Sequence, residues 1–255
     1  MNSTHLTITR VAERHWHALE DDLVVGRGHA AQRPDGRIFV SIDSWHDAVF
    51  DQLAAAMLAD LPRPLYTVVD EVDLDLATNW RRAGFTTGRR EWELLVPTDP
   101  QATGLVSAPP SDVAIVPVGA AQEGPLYELD RAIRDEVEAT VGWQRMPAEV
   151  LPRPEGKTVL YPSRYAVAVR LDRYVGLVRV APLTRQPRIG LIAVLAEEQR
   201  RGIARALLAD VLGALHRDGI ATATAEVHES NAAATTLFEG IGSRPVGSNL
   251  ELVLR

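Results

Sequence analysis

Residues 194–208, Val-Leu-Ala-Glu-Glu-Gln-Arg-Arg-Gly-Ile-Ala-Arg-Ala-Leu-Leu, constrain this chain more than any other stretch. They start at the end of an apolar run, Ile189 to Leu195, and cross a short polar loop. They then enter a segment whose apolar residues Ala204, Leu207, Leu208, Val211, Leu212 and Leu215 recur at the i, i+3, i+4 spacing of one helix face. The pattern predicts strand, loop and helix, with Gln199 to Gly202 at the helix N-terminus. A helix start presents N–H groups without intrahelical partners and the positive end of the macrodipole, so it attracts anions. Gly202 has no Cβ and lets a phosphate approach the backbone. Arg200, Arg201 and Arg205 add positive charge at the same spot.

A chain of 255 residues, 46% of them apolar, has room for one large domain or two of ordinary size. Its net charge of −7 argues against a dedicated nucleic-acid binder, which is usually basic. The absence of cysteine excludes a disulfide framework, a cysteine-based zinc site and a cysteine nucleophile. No apolar run approaches the roughly 18 residues of a membrane span. The first residues lack the pattern of a secretory signal, so the cytoplasm is the expected compartment and no membrane partner is expected. The seven histidines have no tight ligand spacing, so no metal is expected.

Taken in order, Leu6 to Thr9 reads as a strand, and His15 to Val25 as a helix with Trp16, Leu19 and Leu23 on one face. Gly26 to Asp35 reads as a loop, and Arg37 to Ile42 as a strand. A helix from Trp45 to Asp60 follows, with Asp43 or Ser44 as its cap and Pro62 and Pro64 as its stop. A strand at Leu65–Val69, a helix at Asp73–Ala83 and a strand at Arg90–Val96 complete the first half. Pro97 to Asp112 holds four prolines and no hydrophobic period, and reads as a linker. Beyond it come a strand at Val113–Val118, an amphipathic helix from Leu126 with an acidic face, and an irregular proline-rich stretch, Trp143 to Pro162. A hairpin turning at Leu171-Asp-Arg173 precedes the opening motif. A strand at Ala221–Val227, a helix at Asn231–Gly240 and a strand at Leu250–Leu254 end the chain.

The two halves repeat. Thr67-Val-Val-Asp against Ala225-Glu-Val-His, Trp80-Arg-Arg-Ala-Gly84 against Phe238-Glu-Gly-Ile-Gly242, and Glu93-Leu-Leu-Val against Glu251-Leu-Val-Leu all stand 158 positions apart without a gap. The expected division is 1–97, a linker over 98–112, and 113–255, in an α/β fold with mixed sheets. The first half has no counterpart of the Gln-x-x-Gly-x-Ala loop.

Strand, loop and helix at 189–215, with Gln199-Arg-Arg-Gly-Ile-Ala204 between, resemble the GNAT superfamily of acetyl-CoA-dependent N-acetyltransferases. In that family the sequence (Gln/Arg)-x-x-Gly-x-(Gly/Ala) holds the coenzyme A diphosphate. The resemblance implies a tandem GNAT-like acyl-CoA N-acyltransferase fold with a degenerate first half, acetyl-CoA as co-substrate, and a small-molecule amine as acceptor. It assigns cofactor contacts to Val194, Leu195 and Ala196 at the strand end, to Gln199, Arg200, Arg201, Gly202, Ile203, Ala204 and Arg205 in the loop, and to Asn231 and Phe238 on the last helix. Two fused halves imitate the dimer common among single-unit relatives, so either a monomer or a homodimer is consistent.

Asn231 to Gly242 fits the family's Asn-x-x-Ala-x-x-Leu-Tyr-x-x-x-Gly with one departure. Phe238 stands where a tyrosine usually protonates the departing thiolate, and it has no hydroxyl. Water or Ser230 remains as a proton source. The strand before the loop holds no acid, so the candidates for a base come from the next strand: Glu226, His228 and Glu229. His228 ranks first, because an imidazole ordinarily titrates near neutrality. Asp130, Asp135, Glu136 and Glu138 form either an attractor for a cationic amine or a solvated face. Tyr127, Trp143 and Tyr165 are pocket or core residues. Two rival readings stay open: a non-catalytic acyl-CoA-binding sensor, and an acyltransferase with a longer acyl chain or a hydroxyl acceptor.

Overall fold

The computed structural model describes residues 6–33, 35–105, 109–140, 142, 159–181 and 186–255. Its first departure from the sequence reading lies at residues 15–25, which form a hairpin instead of a helix. After β1 (Leu6–Ala12), β2 (His15–Glu20) and β3 (Leu23–Gln32) pair antiparallel around Asp21 and Asp22, whose φ values are 48° and 63°. Aspartate tolerates this left-handed conformation, and two such residues make the tight turn that suits a twisted hairpin. Trp16 and Ala18 are buried while His15 between β1 and β3 stays exposed, so the true period is two. Gly26 and Gly28 read as loop residues but lie within β3. A Cβ on Gly26 would come within 2.7 Å of Val49, so these glycines allow the strand to lie close against a helix.

That helix is α1 (Asp47–Asp60), which follows β4 (Ile38–Ser44) and buries Val49, Phe50, Leu53, Ala54 and Met57. Asp43 and Ser44, the expected caps, belong to β4. The capping position is His46, whose side chain makes no cap hydrogen bond. β5 (Leu65–Asp70) leads to α2 (Leu74–Arg82), capped by Asp73, which accepts from the Leu76 amide at 3.0 Å. β6 (Thr86–Pro97) ends at the expected linker, and that linker holds a one-turn helix, α3 (Pro100–Thr103). The second half contains β7 (Ala114–Val116), α4 (Glu123–Thr140), β8 (Tyr165–Arg170), β9 (Arg173–Ala181), β10 (Arg188–Val194), α5 (Ile203–Arg217), β11 (Thr222–His228), α6 (Ala232–Glu239) and β12 (Arg244–Leu254). Most of the irregular stretch expected at 143–162, Trp143 included, lies outside the described residues; Pro162–Arg164 is a single 3₁₀ turn.

The chain forms two compact units, 1–90 with 247–255, and 91–246. They differ from the expected halves by two strands. In the first unit β12 pairs antiparallel with β5, from Asn249 opposite Asp70 to Leu254 opposite Leu65. In the second, residues 91–97 of β6 pair with β11. The last strand of each repeat thus completes the sheet built by the other. The segments 158 positions apart fold alike, as strand, helix and strand, and Gly84 and Gly242 both take positive φ after their helices.

The second unit has the sheet order β6-β11-β10-β9-β8-β7. α5 packs Leu207, Leu208, Val211 and Leu212 into the core, and α4 adds Leu126, Leu129 and Ile133. Each fully buried leucine contributes roughly 1.5–3 kcal/mol. The apolar face of α5 therefore fixes the position of its N-terminus. Among the described residues no helix is long and apolar enough to cross a membrane.

Candidate functional site

β10 and β11 run parallel, but they pair only at Arg188 with Thr224 and Ile189 with Ala225. Beyond those pairs β10 stays on β9 as far as Val194 opposite Gly176, and β11 stays on β6 as far as His228 opposite Glu91. A register shift between Ile189 and Leu191 bends β10 at the point of divergence. The result is a fork whose two inner edges, among the described residues, carry backbone groups without a partner strand across the gap. Leu191, Ile192, Ala193 and Val194 are all half-buried, although they lie on a central strand. That is how a strand with one open edge should look. Arg188 and Glu226 form an ion pair at 3.0 Å at the floor of the fork.

The motif loop stands at the top. Arg200 (φ 64°) and Gly202 (φ 83°) both take left-handed conformations. Gly202 occupies the capping position of α5 with no side-chain cap, and the first intrahelical bond is donated by Ala206 to its carbonyl at 3.0 Å. The amides of Ile203, Ala204 and Arg205 thus form a first turn without helical acceptors. A Cβ built on Gly202 meets nothing within 4 Å, so open space lies in front of it. Ile203 is buried and anchors the turn. An anion placed there would meet backbone N–H groups, the helix dipole and the arginines, so the residues present fit a diphosphate.

Ion pairs brace the loop from below. Glu197 pairs with Arg173, beside the hairpin turn that the sequence located correctly. Glu198, 7% exposed, accepts from Arg170 at 3.0 Å and pairs with Arg201 at 3.5 Å. Arg170 also binds Asp112 at 2.6 Å, and this guanidinium holds the Asp112 carboxyl below the usual range. Arg205 donates to the Gly240 carbonyl at 3.3 Å. Of the three loop arginines, two have side chains committed within the protein, and Arg200 is exposed.

The strand-end residues divide in the same way. The Gln199 side chain donates to the Val194 carbonyl at 3.1 Å, and the Leu195 amide donates to Val175 at 3.0 Å. The Ala196 amide donates to both oxygens of Glu136 on α4, at 3.2 and 3.0 Å. Glu136 was expected on an acidic face and instead ties that helix to the loop. Asp130 of the same set is buried against Arg134 at 2.5 Å, so it is no solvated charge. Gly176 is a site residue the sequence reading missed. A Cβ there would sit 3.2 Å from the Ala193 carbonyl and 3.3 Å from Ile203, so its bareness lets β9, β10 and the start of α5 converge.

Asn231 caps α6, accepting from the Ala234 amide at 3.1 Å. Phe238 is 3% exposed within the core. Tyr165 is likewise core, and the Tyr127 hydroxyl accepts from the Leu160 amide at 3.5 Å. Along β11, Ala223, Ala225 and Val227 face the core, while Thr224, Glu226 and His228 alternate to the other side, half-buried. His228 Nδ1 lies 3.1 Å from the Ser230 amide nitrogen and 2.9 Å from its hydroxyl. Glu229 is exposed in the turn between them. Among the described residues no group of three or more His, Asp or Glu could hold a metal ion.

The first unit repeats the fork but not the loop. β4 and β5 pair in parallel only at Ile38 with Leu65 and Phe39 with Tyr66. Only Trp45 and His46 separate β4 from α1, whereas residues 195–202 separate β10 from α5.

Residues 156–252 match the family model for the acetyltransferase (GNAT) domain. A segment of 51 residues is 47% identical to ribosomal protein bS18-alanine N-acetyltransferase of Escherichia coli; it spans 20% of this chain and 34% of that enzyme. Among solved structures, a GCN5-related N-acetyltransferase from Sphaerobacter thermophilus superposes with a TM-score of 0.69 at 17% identity, over 96% of this chain and 82% of that one. A tandem GNAT protein from the clavulanic acid biosynthesis pathway gives 0.65 at 16% identity, over 94% and 82%.

Proposed function

From the premise that the second unit carries a GNAT acetyltransferase domain, we propose that this chain is an N-acetyltransferase that moves acetyl from acetyl-CoA to a primary amine. The observation that carries the proposal is the fork between β10 and β11, which opens directly below the bare first turn of α5. Loop residues Gln199 to Arg205 would hold the diphosphate, and the open edge of β10 toward Val194 would align the pantetheine arm. When bound, acetyl-CoA supplies an activated acyl group. The chain has no cysteine to form an acyl-enzyme thioester, which supports direct transfer with donor and acceptor bound together over a covalent route through Ser, Lys or a carboxylate. Because the Leu195 and Ala196 amides are committed to Val175 and Glu136, the donors that would polarise the thioester carbonyl come from the open edge of β10 before them. The amine loses a proton as it attacks, and His228 and Glu229, on the lip of β11, serve the proton and hydrogen-bond traffic.

The acceptor is a primary amine, small-molecule in the simplest case; the E. coli relative is named for an alanine of a ribosomal protein. The first unit, which has a fork and no loop, is structural and not a second coenzyme site. A second reading is favoured by one observation, the buried phenylalanine at 238 in place of a hydroxyl: a non-catalytic binder of acyl-CoA. Release of free thiol from acetyl-CoA, assayed over a broad amine panel beside calorimetric binding, separates the two. Turnover with any amine supports the transferase. Tight binding with no turnover supports the binder, and no binding overturns both.

A further inference from the structure

His15 on β2 and His29 on β3 are direct partners in the antiparallel register of the first unit. The Ala30 amide donates to the Arg14 carbonyl at 3.0 Å, so residues 14 and 30 form a hydrogen-bonded pair and the adjacent pair, His15 with His29, is of the other type. In an antiparallel ladder the non-hydrogen-bonded pairs stand closer, with Cα atoms about 4.5 Å apart. The two imidazoles accordingly lie with ring centroids 4.6 Å apart at an interplanar angle of 45°. Trp16 and Gly28, the next pair, are buried against the core, so both histidines stand exposed on the opposite face of the sheet. Their outer neighbours in the same row, Ala12 on β1 and Ser41 on β4, are small and exposed, which leaves the flanks of the pair to solvent. Among the described residues neither ring has a hydrogen-bond or ion-pair partner.

The ring separation selects a geometry. An imidazole nitrogen binds a transition metal at about 2.0–2.1 Å and lies about 1.2 Å from its ring centre, so each centroid stands about 3.2 Å from a shared ion. Two such ligands at right angles have centroids about 4.5 Å apart, and at the tetrahedral angle about 5.2 Å. The observed 4.6 Å fits neighbouring corners of a square. Square-planar or tetragonal sites of nitrogen and oxygen suit Cu²⁺ and Ni²⁺, and Cu²⁺ binds most tightly of the divalent first-row ions.

We propose that His15 and His29 form a surface site for a square-planar divalent ion, Cu²⁺ above all, held by one nitrogen of each ring with water in the remaining positions. The site is independent of the acetyltransferase reading. The ladder has already fixed both backbones, so capture of the ion orders little more than two side chains. His17 lies on the same face, two residues and about 6.6 Å further along β2. It stands opposite Arg27 and is not a ligand, in keeping with the lack of a three-residue metal group among the described residues. Register, and not spacing along the chain, brings the two rings together. An ion bound to both strands clamps the hairpin and stabilises the folded chain.

The full chain and the metal alone provide the test. Calorimetry with Cu²⁺ in a weakly coordinating buffer should show a tightest site of one ion per chain, tighter than for Ni²⁺ or Zn²⁺. Electron paramagnetic resonance of that ion should show coupling to two equivalent nitrogens. His15→Ala and His29→Ala should each weaken binding at least tenfold, and His17→Ala should leave it unchanged. All three substitutions remove side chains outside the core, so the proteins should melt alike without metal. Ni²⁺, which is redox-inert under these conditions, should raise Tm in the unsubstituted chain and in His17→Ala but not in His29→Ala. Binding that survives His15→Ala or His29→Ala within threefold overturns the site. So does a signal from one nitrogen or from three, a loss on His17→Ala equal to theirs, or no tight Cu²⁺ binding at all.

Discussion

Replacing Gly202 is the most direct perturbation of the anion cradle, because its effects on folding and on binding separate. With φ at 83° and nothing within 4 Å of a built Cβ, any side chain there suffers backbone strain but no clash with the protein. The left-handed conformation costs a non-glycine residue about 1–2 kcal/mol. For a chain of this size that lowers Tm by about 2–4 °C per kcal/mol, so both Gly202→Ala and Gly202→Glu should fold. Binding should respond very differently. Hydrogen bonds from amides to a charged group contribute about 1.5–3 kcal/mol each. A glutamate side chain that blocks two of them should cost about 3–6 kcal/mol, which is roughly 100-fold to 10,000-fold in Kd. Its own charge adds repulsion to that loss. Alanine intrudes by one methyl group and should cost about tenfold. Calorimetry with coenzyme A, run beside thermal melts, measures both quantities. A Gly202→Glu protein that melts where expected and still binds within about threefold of the unsubstituted chain would refute the assignment of this loop.

Glu136→Gln weakens the acceptor of the Ala196 amide and should reduce coenzyme affinity by a few-fold, about 0.5–1.5 kcal/mol, with little change in Tm; an unchanged Kd would remove the brace from the argument. Arg170→Ala leaves the buried Glu198 with Arg201 as its ion-pair partner among the described residues and should lower the midpoint of a denaturant titration; an unchanged midpoint would show that the pair adds nothing to stability. The Asp112 carboxyl is held below its ordinary value of 3.8 by Arg170, so its contribution is full above that pH and is lost as pH falls through the lowered folded value. Acid melts of the unsubstituted chain should show that loss, and melts of Arg170→Ala should not. Burial raises the Asp210 carboxyl above 3.8, the opposite sign, so its ionisation opposes folding once pH rises past that value. Asp210→Asn should therefore raise Tm at pH 7, with the gain fading in acid below 3.8; a gain that persists there would point to packing instead.

The sequence disclosed those elements whose signal is local. α5 was legible because its apolar face, its bare glycine and its arginines all lie between Arg200 and Leu215. The hairpin turn at 171–172 and the start of α2 beside Asp73 were legible for the same reason. The hairpin at 15–32 was not. Trp16, Leu19 and Leu23 fall at helical spacing by coincidence, and the deciding facts are non-local: Gly26 and Gly28 are small because α1 passes over them. Local pattern yields to tertiary packing in such places. The exchanged strands were hidden likewise. Glu93 to Val96 and Glu251 to Leu254 are similar enough to reveal a repeat, and for that reason cannot say which sheet each one completes.

The candidate site divides along the same line, and the division says what kind of chemistry each part can do. Six consecutive residues specify the proposed anion cradle, because a diphosphate site needs only bare amides, a positive φ and a dipole. The braces come from far away: Glu136 lies sixty residues before the amide it holds, and Arg170 lies 28 before Glu198. Side-chain types give no hint of those pairings. The fork leaves even less trace, since it is a failure of two apolar strands to stay paired after two residues. His228 shows the limit most clearly. Its identity suggested a base, and the Ser230 amide that meets its Nδ1 at 3.1 Å is a group every residue but proline carries, so no side-chain pattern could announce the contact. Composition can nominate a residue for acid–base work, but only the folded backbone sets what its ring nitrogens meet.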